Sequence, residues 1–499
     1  MTLSASTMLP PCRFDPIRWI ETVAASDPQR VWLTDDQPHS YAELEHAIRT
    51  MAGRLAARGV KAGDRVAVQV EKSRVALEVY LGCLWLGAVY MPLNSGYTDA
   101  EIAWFLTDAE PCLFVVDPAS PHLARANVLA LTLADLTDTP CQLGGARPEF
   151  EPGAFAAMLY TSGTTGKPKG AMLTRGNLAS SAATLVEAWR VTADDVLIHA
   201  LPIFHVHGLF VATNTMLAAG GSMLFMEKFD GDAVIDRFDQ ATMLMGVPTF
   251  YTRLLANPRL TPEACNHMRL FVSGSAPLLA ETHRDFSART GHAILERYGM
   301  TETMMNTSNP YDGARVPGTV GPPLPGVSLR VTEPKTGAPL PQGEIGMIEV
   351  KGPNLFKGYW RNPEKTAAEH RADGYFITGD LGRIDDAGYV HIIGRGKDLI
   401  ISGGLNIYPK EVEDALDALP GVLETAVVGV PDADFGEAVT AIIVAAPGAA
   451  LEIAAIREAL SKTLARFKLP KSIHIVEELP RNTMGKVQKA RLRDQYSGN

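Results

Sequence analysis

Tyr160-Thr161-Ser162-Gly163-Thr164-Thr165-Gly166-Lys167-Pro168-Lys169-Gly170 follows directly on an apolar run at 154–159. These eleven positions hold three glycines, four serine or threonine hydroxyls and two lysines. Behind a strand, that composition builds a loop able to wrap a polyphosphate. Glycine lets backbone N–H groups close on anionic oxygens, hydroxyls add donors, and lysines bring compensating charge. The P-loop of nucleoside triphosphatases needs four residues between its first glycine and Gly-Lys-Ser/Thr. Here only Thr164 and Thr165 separate Gly163 from Gly166, and Pro168 follows Lys167, so that pattern fails. A flexible linker is the bland alternative, but linkers rarely set lysines among threonines behind a buried strand.

Outward from this loop, short β-like runs alternate with helical ones. Residues 64–70, 113–117, 154–160, 196–201, 222–226, 243–247 and 270–273 read as strands, and 178–189, 233–240 and 279–290 as helices between them. Such alternation predicts an α/β fold of mostly parallel sheets covered by helices on both faces. The apolar stretch 75–93 contains Glu78, Gly82 and Gly87, which suits a buried helix running into a strand better than a membrane span. Between about 317 and 393 glycine and proline become dense around short strand-like pieces (328–331, 347–351, 389–393), predicting a small antiparallel or barrel-like subdomain. After Gly394-Arg395-Gly396-Lys397-Asp398 come a helix (410–419), strands (425–430, 439–445), a helix (453–464) and a strand (472–476). The expectation is a large N-terminal domain over 1–394 and a small, mobile α/β C-terminal domain over 395–499.

A chain of 499 residues calls for two to four domains, and 46% hydrophobic with 20% charged residues is ordinary globular composition. The net charge of −10 argues against nonspecific nucleic-acid binding, and means that an anionic substrate must be drawn in by local basic groups. Cys12, Cys83, Cys112, Cys141 and Cys265 are scattered, odd in number and without metal-site spacing. Together with an N-terminus lacking a basic segment before an apolar run, they point to a cytoplasmic protein with reduced thiols and no membrane partner.

Further polar clusters fall at the ends of predicted strands, where open α/β sheets place their ligands. They are Pro202-Ile203-Phe204-His205-Val206-His207-Gly208, Ser273-Gly274-Ser275-Ala276-Pro277, Arg297-Tyr298-Gly299-Met300-Thr301-Glu302-Thr303, Tyr375-Phe376-Ile377-Thr378-Gly379-Asp380, residues 394–398, and Pro480-Arg481-Asn482-Thr483-Met484-Gly485-Lys486. In this order and spacing, from about residue 40 to the end, they closely resemble the adenylate-forming superfamily of acyl-CoA synthetases, luciferases and nonribosomal-peptide adenylation domains. The phosphate loop and the Thr-Gly-Asp element are the most specific parts of the match.

That resemblance implies ATP, Mg2+ and coenzyme A as reactants. A carboxylate is coupled to AMP with loss of pyrophosphate, and the thiol of coenzyme A then displaces AMP. Both steps spread negative charge over oxygens, so the site needs cations and N–H donors more than a covalent nucleophile. By the same resemblance, Thr161, Ser162, Gly163, Thr164, Thr165, Gly166, Lys167 and Lys169 hold the β- and γ-phosphates. Glu302 binds magnesium, with Thr301 at the α-phosphate. Asp380 takes both ribose hydroxyls, as suits an acceptor-only group with two oxygens, and Arg395 approaches ribose and phosphate. Ser275, Ala276 and Pro277, with Tyr298 and Gly299, line the adenine pocket. Lys486 bridges the substrate carboxylate and the α-phosphate during adenylation, a job suited to a point charge on a flexible stem. Lys397 stands at the family's hinge. Rotation there would withdraw Lys486 and present Gly403 and Gly404 to the pantetheine tunnel. Pro480 and Gly485 around Lys486 resemble synthetases silenced by lysine acetylation, which implies an acetyltransferase and a deacetylase as partners.

The acyl pocket departs from the common pattern. Where aryl and medium-chain relatives usually carry glycine before Tyr-Gly, this chain has Arg297; His207 and Ser275 replace apolar or small residues. A buried guanidinium without a partner costs several kcal/mol, and a second substrate carboxylate would supply one through a two-pronged hydrogen bond. The pocket is therefore expected to be short and to take a small dicarboxylate. With Met300, Asn306 and Asn309 nearby, the combination resembles malonyl-CoA synthetases, implying malonate and, more slowly, methylmalonate. The alternative has Arg297 paired with Glu296 or Glu302 and merely blocking the pocket, leaving oxalate or a short monocarboxylate as substrate. Rival readings are a carrier-loading adenylation enzyme (no carrier domain follows), a luciferase-like oxygenase (the pocket is too small) and an inactive binding protein (Lys486, Glu302 and Asp380 are all present).

Overall fold

The computed structural model describes residues 15–125, 128–142, 147–161, 168–402, 405–432, 435–482 and 485–497. The chain divides into two compact units, one made of residues through Leu329 with Val350–Phe376, the other of Arg330–Glu349 with Ile377–Asn499.

In the first unit the apolar runs pair into two sheets. An eight-stranded sheet runs in the order Met304–Ser308, Leu295–Met300, Leu270–Ser273, Met243–Gly246, Val196–His199, Ser222–Phe225, Val31–Thr34, Pro38–Ser40. Its internal pairings are parallel, and an antiparallel strand closes each edge. A seven-stranded sheet runs Gly358–Tyr359, Lys169–Thr174, Phe155–Thr161, Val89–Pro92, Arg65–Gln69, Leu113–Val116, Leu129–Thr132. Strands covered on both faces carry continuous apolar runs, and Leu113–Val116, Met243–Gly246 and Leu270–Ser273 are accordingly buried at every residue.

The stretch 75–93 is a buried helix, Arg74–Leu86, capped by Ser73 and followed by the strand Val89–Pro92. Gly87 ends the helix at φ +83°, and a Cβ there would lie 2.3 Å from the Phe150 ring, so only glycine makes this turn. Among the described residues no helix is long and apolar enough to cross a membrane. Arg175–Ala188 starts from Thr174, whose side chain and that of Asn177 cap each other's backbone. Two expectations shift. The helix at 233–240 is confined to Gly231–Ile235, because the residues after it close i−3 bonds (Phe238 to Ile235, Gln240 to Arg237) rather than α-helical ones. The polar cluster at 297–303 is the upper part of an antiparallel hairpin, Leu295–Met300 with Met304–Ser308.

Ser328–Thr332, Gly346–Lys351, Phe376–Ile384 and Val390–Arg395, most of whose residues belong to the second unit, form a four-stranded sheet. A further five-stranded sheet contains Leu405–Ile407, Ile400–Ser402, Gly436–Ala445 and Val422–Asp432, with Ser472–Val476 added in parallel to Gly436–Ala445. Alternation along its strands builds two cores. Val427, Val439, Ala441 and Ile443 pack with Val412, Leu416, Ile456 and Leu460 of the helices Pro409–Asp417 and Ile453–Thr463. Ala426, Val428, Ile442 and Val444 pack with Leu479 and with Leu492 of the helix Lys489–Tyr496.

Candidate active site

The phosphate-loop stretch rises from an antiparallel hairpin of Phe155–Thr161 and Lys169–Thr174, so Thr161 and Lys169 face each other as its last paired residues. Ser162, Gly163, Thr164, Thr165, Gly166 and Lys167 lie outside the described residues. The short strand Gly358–Tyr359 extends this hairpin. It brings in two side chains that sequence reasoning missed. Lys169 Nζ stands 3.6 Å from Glu369 Oε1 and 5.1 Å from the centre of the Tyr359 ring. The Tyr359 hydroxyl lies 2.6 Å from Glu369 Oε2 and 3.1 Å from Glu302 Oε1. A phenol has one proton to donate, so these carboxylates compete for it. Burial, reinforced by Glu302 and Glu369, pushes the Tyr359 hydroxyl far above the ordinary phenol range and keeps it a donor.

Thr301 and Glu302 sit in the turn that closes the 295–308 hairpin, and Glu302 is buried. Backbone groups set the turn: Phe356 N–H donates to Glu302 O (2.8 Å), and the Asn354 amide donates to Thr303 O (2.6 Å) and Met305 O (3.0 Å). Gly299 is required where the strands are offset, since a Cβ there would fall 1.9 Å from Met304 O. Among the described residues no group of three or more His, Cys, Asp or Glu side chains forms a metal cage. A single buried carboxylate is nonetheless the donor set that Mg2+ uses when it arrives on nucleotide phosphates, so Glu302 fits that ion.

Arg297, His207 and Ser275 come together. His207 opens a seven-residue π-helix, His207–Thr213, and its Nδ1 lies 3.1 Å from Ser275 Oγ. Ser275 takes φ +72°, a left-handed conformation that a non-glycine residue holds only under local constraint. Ala276 is half-buried and Pro277 exposed, while Tyr298 and Gly299 are half-buried. Arg297 is 4% exposed and packs flat over Gly274, where a Cβ would fall 2.4 Å from the guanidinium carbon. Among the described residues Arg297 Nε and Nη2 and His207 Nε2 are buried without a hydrogen-bond partner. Burial pushes the guanidinium down to about 9, against the pull of Tyr251 and Glu296. Burial, then the charge of Arg297, holds His207 well below the usual imidazole range. Glu296, the next residue on the strand, points to the opposite face, where Oε1 accepts from Leu278 N–H at 3.1 Å.

In the second unit, Asp380 and Arg395 are cross-strand partners, with Arg395 Nε 2.9 Å from Asp380 Oδ1. Thr378 Oγ1 accepts from Asp380 N–H at 3.0 Å and donates to Ile348 O at 2.8 Å, fixing the Thr-Gly-Asp turn. Lys397 lies in a single 3-10 turn, Gly396–Asp398, and Asp398 pairs with Arg493 at 3.2 Å. Lys486 is exposed; Asn482 N–H donates to Lys486 O and Lys486 N–H donates to the Asn482 side-chain Oδ1, both at 2.9 Å, and Gly485 takes φ +73°. Gly403 and Gly404 lie outside the described residues, between the paired strands Ile400–Ser402 and Leu405–Ile407.

The family model for the AMP-binding enzyme covers residues 20–360, and that for the AMP-binding enzyme C-terminal domain covers 411–486. The chain is an AMP-binding enzyme. It resembles the ATP-bound crystal structure of MatB from Rhodopseudomonas palustris at TM-score 0.93 and 56% identity, over 97% of this chain and 99% of that one. It is 37% identical over 480 residues to malonate–CoA ligase of Arabidopsis thaliana, covering 86% of this chain and 78% of the relative. It is 35% identical over 498 residues to indoleacetate–CoA ligase of Aromatoleum aromaticum, covering 94% and 96%.

The first unit thus sets Lys169 beside Glu369, buries the Glu302 carboxylate, and leaves buried donors on Arg297 and His207 without protein partners among the described residues. The second unit sets the Asp380 carboxylate beside Arg395.

Proposed function

We propose that this enzyme joins malonate to coenzyme A at the expense of ATP, giving malonyl-CoA, AMP and pyrophosphate, with methylmalonate a slower substrate. One malonate carboxylate attacks the α-phosphorus and pyrophosphate leaves. The thiol of coenzyme A then attacks the malonyl carbonyl and AMP leaves, its proton passing to solvent. Bound Mg2+ would neutralise developing charge on the phosphates from Glu302. The observation that carries the choice of acid is the buried Arg297 guanidinium, with two nitrogens unpartnered among the described residues, next to His207, whose Nε2 is likewise unpartnered. An apolar acyl tail would leave all three unsatisfied, whereas a distal carboxylate accepts from them.

The remaining assignments follow the chemistry of each group. Thr161 to Lys169 would hold the phosphates, Thr301 the α-phosphate, Asp380 and Arg395 the ribose, and Ser275 to Pro277 with Tyr298 and Gly299 the adenine. Lys486 would bridge carboxylate and α-phosphate, then withdraw by rotation about Lys397, with the mobile domain beginning at 395. Gly403 and Gly404 would meet the pantetheine. A reducing, cytoplasmic setting suits Cys83, Cys112, Cys141 and Cys265, which are all free thiols.

Pyrophosphate release with a panel of C2 to C4 mono- and dicarboxylic acids tests the reading. Malonate is expected to give the highest kcat/KM and methylmalonate the next; oxalate or a monocarboxylate in first place would overturn it. Lys486 is also exposed on a glycine-flanked turn, accessible to an acetyltransferase and deacetylase. Stoichiometric acetylation, checked by mass spectrometry, is expected to abolish ATP–pyrophosphate exchange because it removes the charge. Full exchange after modification would rule this regulation out.

A further inference from the structure

Lys72 and His199 have no part in the assignments above, yet they form a chain of hydrogen bonds, half-buried at Lys72 and buried from His199 on, that ends one residue from His207. His199 closes the strand Val196–His199 and is 1% exposed. Lys72 Nζ donates to His199 O at 2.7 Å and lies 2.9 Å from His199 Nδ1. The same amine sits 4.2 Å over the ring of Phe225, the residue paired with His199 on the neighbouring strand. On the far side of the imidazole, His199 Nε2 lies 2.9 Å from Gly208 O.

These contacts fix the tautomer. A carbonyl only accepts, so Nε2 carries the proton given to Gly208 O. Burial, then the charge of Lys72, holds the imidazole well below its usual range, so it is neutral and Nδ1 must accept from Lys72. The chain therefore runs one way, Lys72 to His199 to Gly208 O. Thr213 Oγ1 donates to the same carbonyl at 3.0 Å. Gly208 is the second residue of the π-helix, and a Cβ there would fall 2.1 Å from Pro202 O. The backbone folds back on itself at this point, and its carbonyl is held by two side chains. π-helical turns are rare and are frequently found at functional sites.

We propose that Lys72 and His199 are positioning residues for the distal-carboxylate site, anchoring Gly208 so that the adjoining His207 aims Nε2 into the acyl pocket. The proposal rests on the reading that His207 meets the distal carboxylate of malonate. It makes acid recognition, rather than nucleotide binding, depend on a lysine in a segment where no ligand contact was expected.

Lys72→Met keeps the stem and removes the donors. It is expected to raise KM for malonate about tenfold while KM for ATP stays within about twofold, since a small misplacement of a binding group selectively weakens its own ligand. His199→Gln can still accept from Lys72 and donate to Gly208 O, and is expected to keep KM for malonate within about threefold; His199→Leu should match Lys72→Met. An unchanged malonate KM in Lys72→Met, a parallel rise of both KM values, or equal damage from the glutamine and leucine variants would overturn the proposal. Should Lys72→Met fail to fold, Thr213→Val, nearly isosteric, makes the same test, and a selective rise in malonate KM is again the expected result. Failure of the substrate reading is distinguishable, because it would appear in the unmodified enzyme as preference for another acid of the panel.

Discussion

Lys486→Ala is expected to lower the rate of malonyl-AMP formation by about two to three orders of magnitude, the usual loss when one aimed donor is removed from a developing anion. Thioester formation from added malonyl-AMP should remain within a few-fold of the unmodified enzyme. The split follows from the chemistry. Adenylation brings two anions, a carboxylate and an α-phosphate, into bonding distance, and an ammonium placed between them would lower that repulsion as the transition state forms. The second step has a thiol attacking an already activated carbonyl and no longer needs that charge. ATP–pyrophosphate exchange and a direct assay of coenzyme A acylation report the halves separately. Equal loss in both would remove Lys486 from its role and reduce it to a structural residue of the Asn482 turn.

Arg297→Ala is the second large effect. Breaking a buried ion pair by removing one partner costs about 3 to 5 kcal/mol, so kcat/KM for malonate should fall by roughly two to three and a half decades. ATP binding should be spared. The small cavity left over Gly274 should admit a short unbranched monocarboxylate, so turnover of that acid is expected to rise while malonate turnover collapses. Kinetics on both acids decide the matter. Survival of malonate turnover within a few-fold would show that the distal carboxylate is held by other groups.

The strands and helices of the two units were legible because burial on both faces writes continuous apolar runs, as at residues 113–116 and 270–273. The hairpin carrying Arg297 and Glu302 was not. Its strands combine Arg297, Tyr298, Gly299, Asn306 and Thr307, and their polarity, imposed by the site, masks the alternation that marks a strand. Arg297 itself stood out because a cation is rare where a tail should lie, and the structure gives it neither of the carboxylates weighed against the substrate at Nε or Nη2. Tyr359, Glu369, Lys72 and His199 were illegible for another reason. Their defining contacts join residues far apart in sequence, as Lys72 reaches His199 across 127 positions and Tyr359 reaches Glu302 across 57, and no local spacing encodes such a meeting.

Glu369 Oε1 holds not only Lys169 but also Lys365, whose Nζ lies at 2.8 Å. Were Lys169 to turn toward a nucleotide phosphate, the glutamate would keep Lys365 as its cation and would not be stranded in a half-buried setting. Release of the first ammonium would then not leave an isolated carboxylate behind to repel the incoming anion.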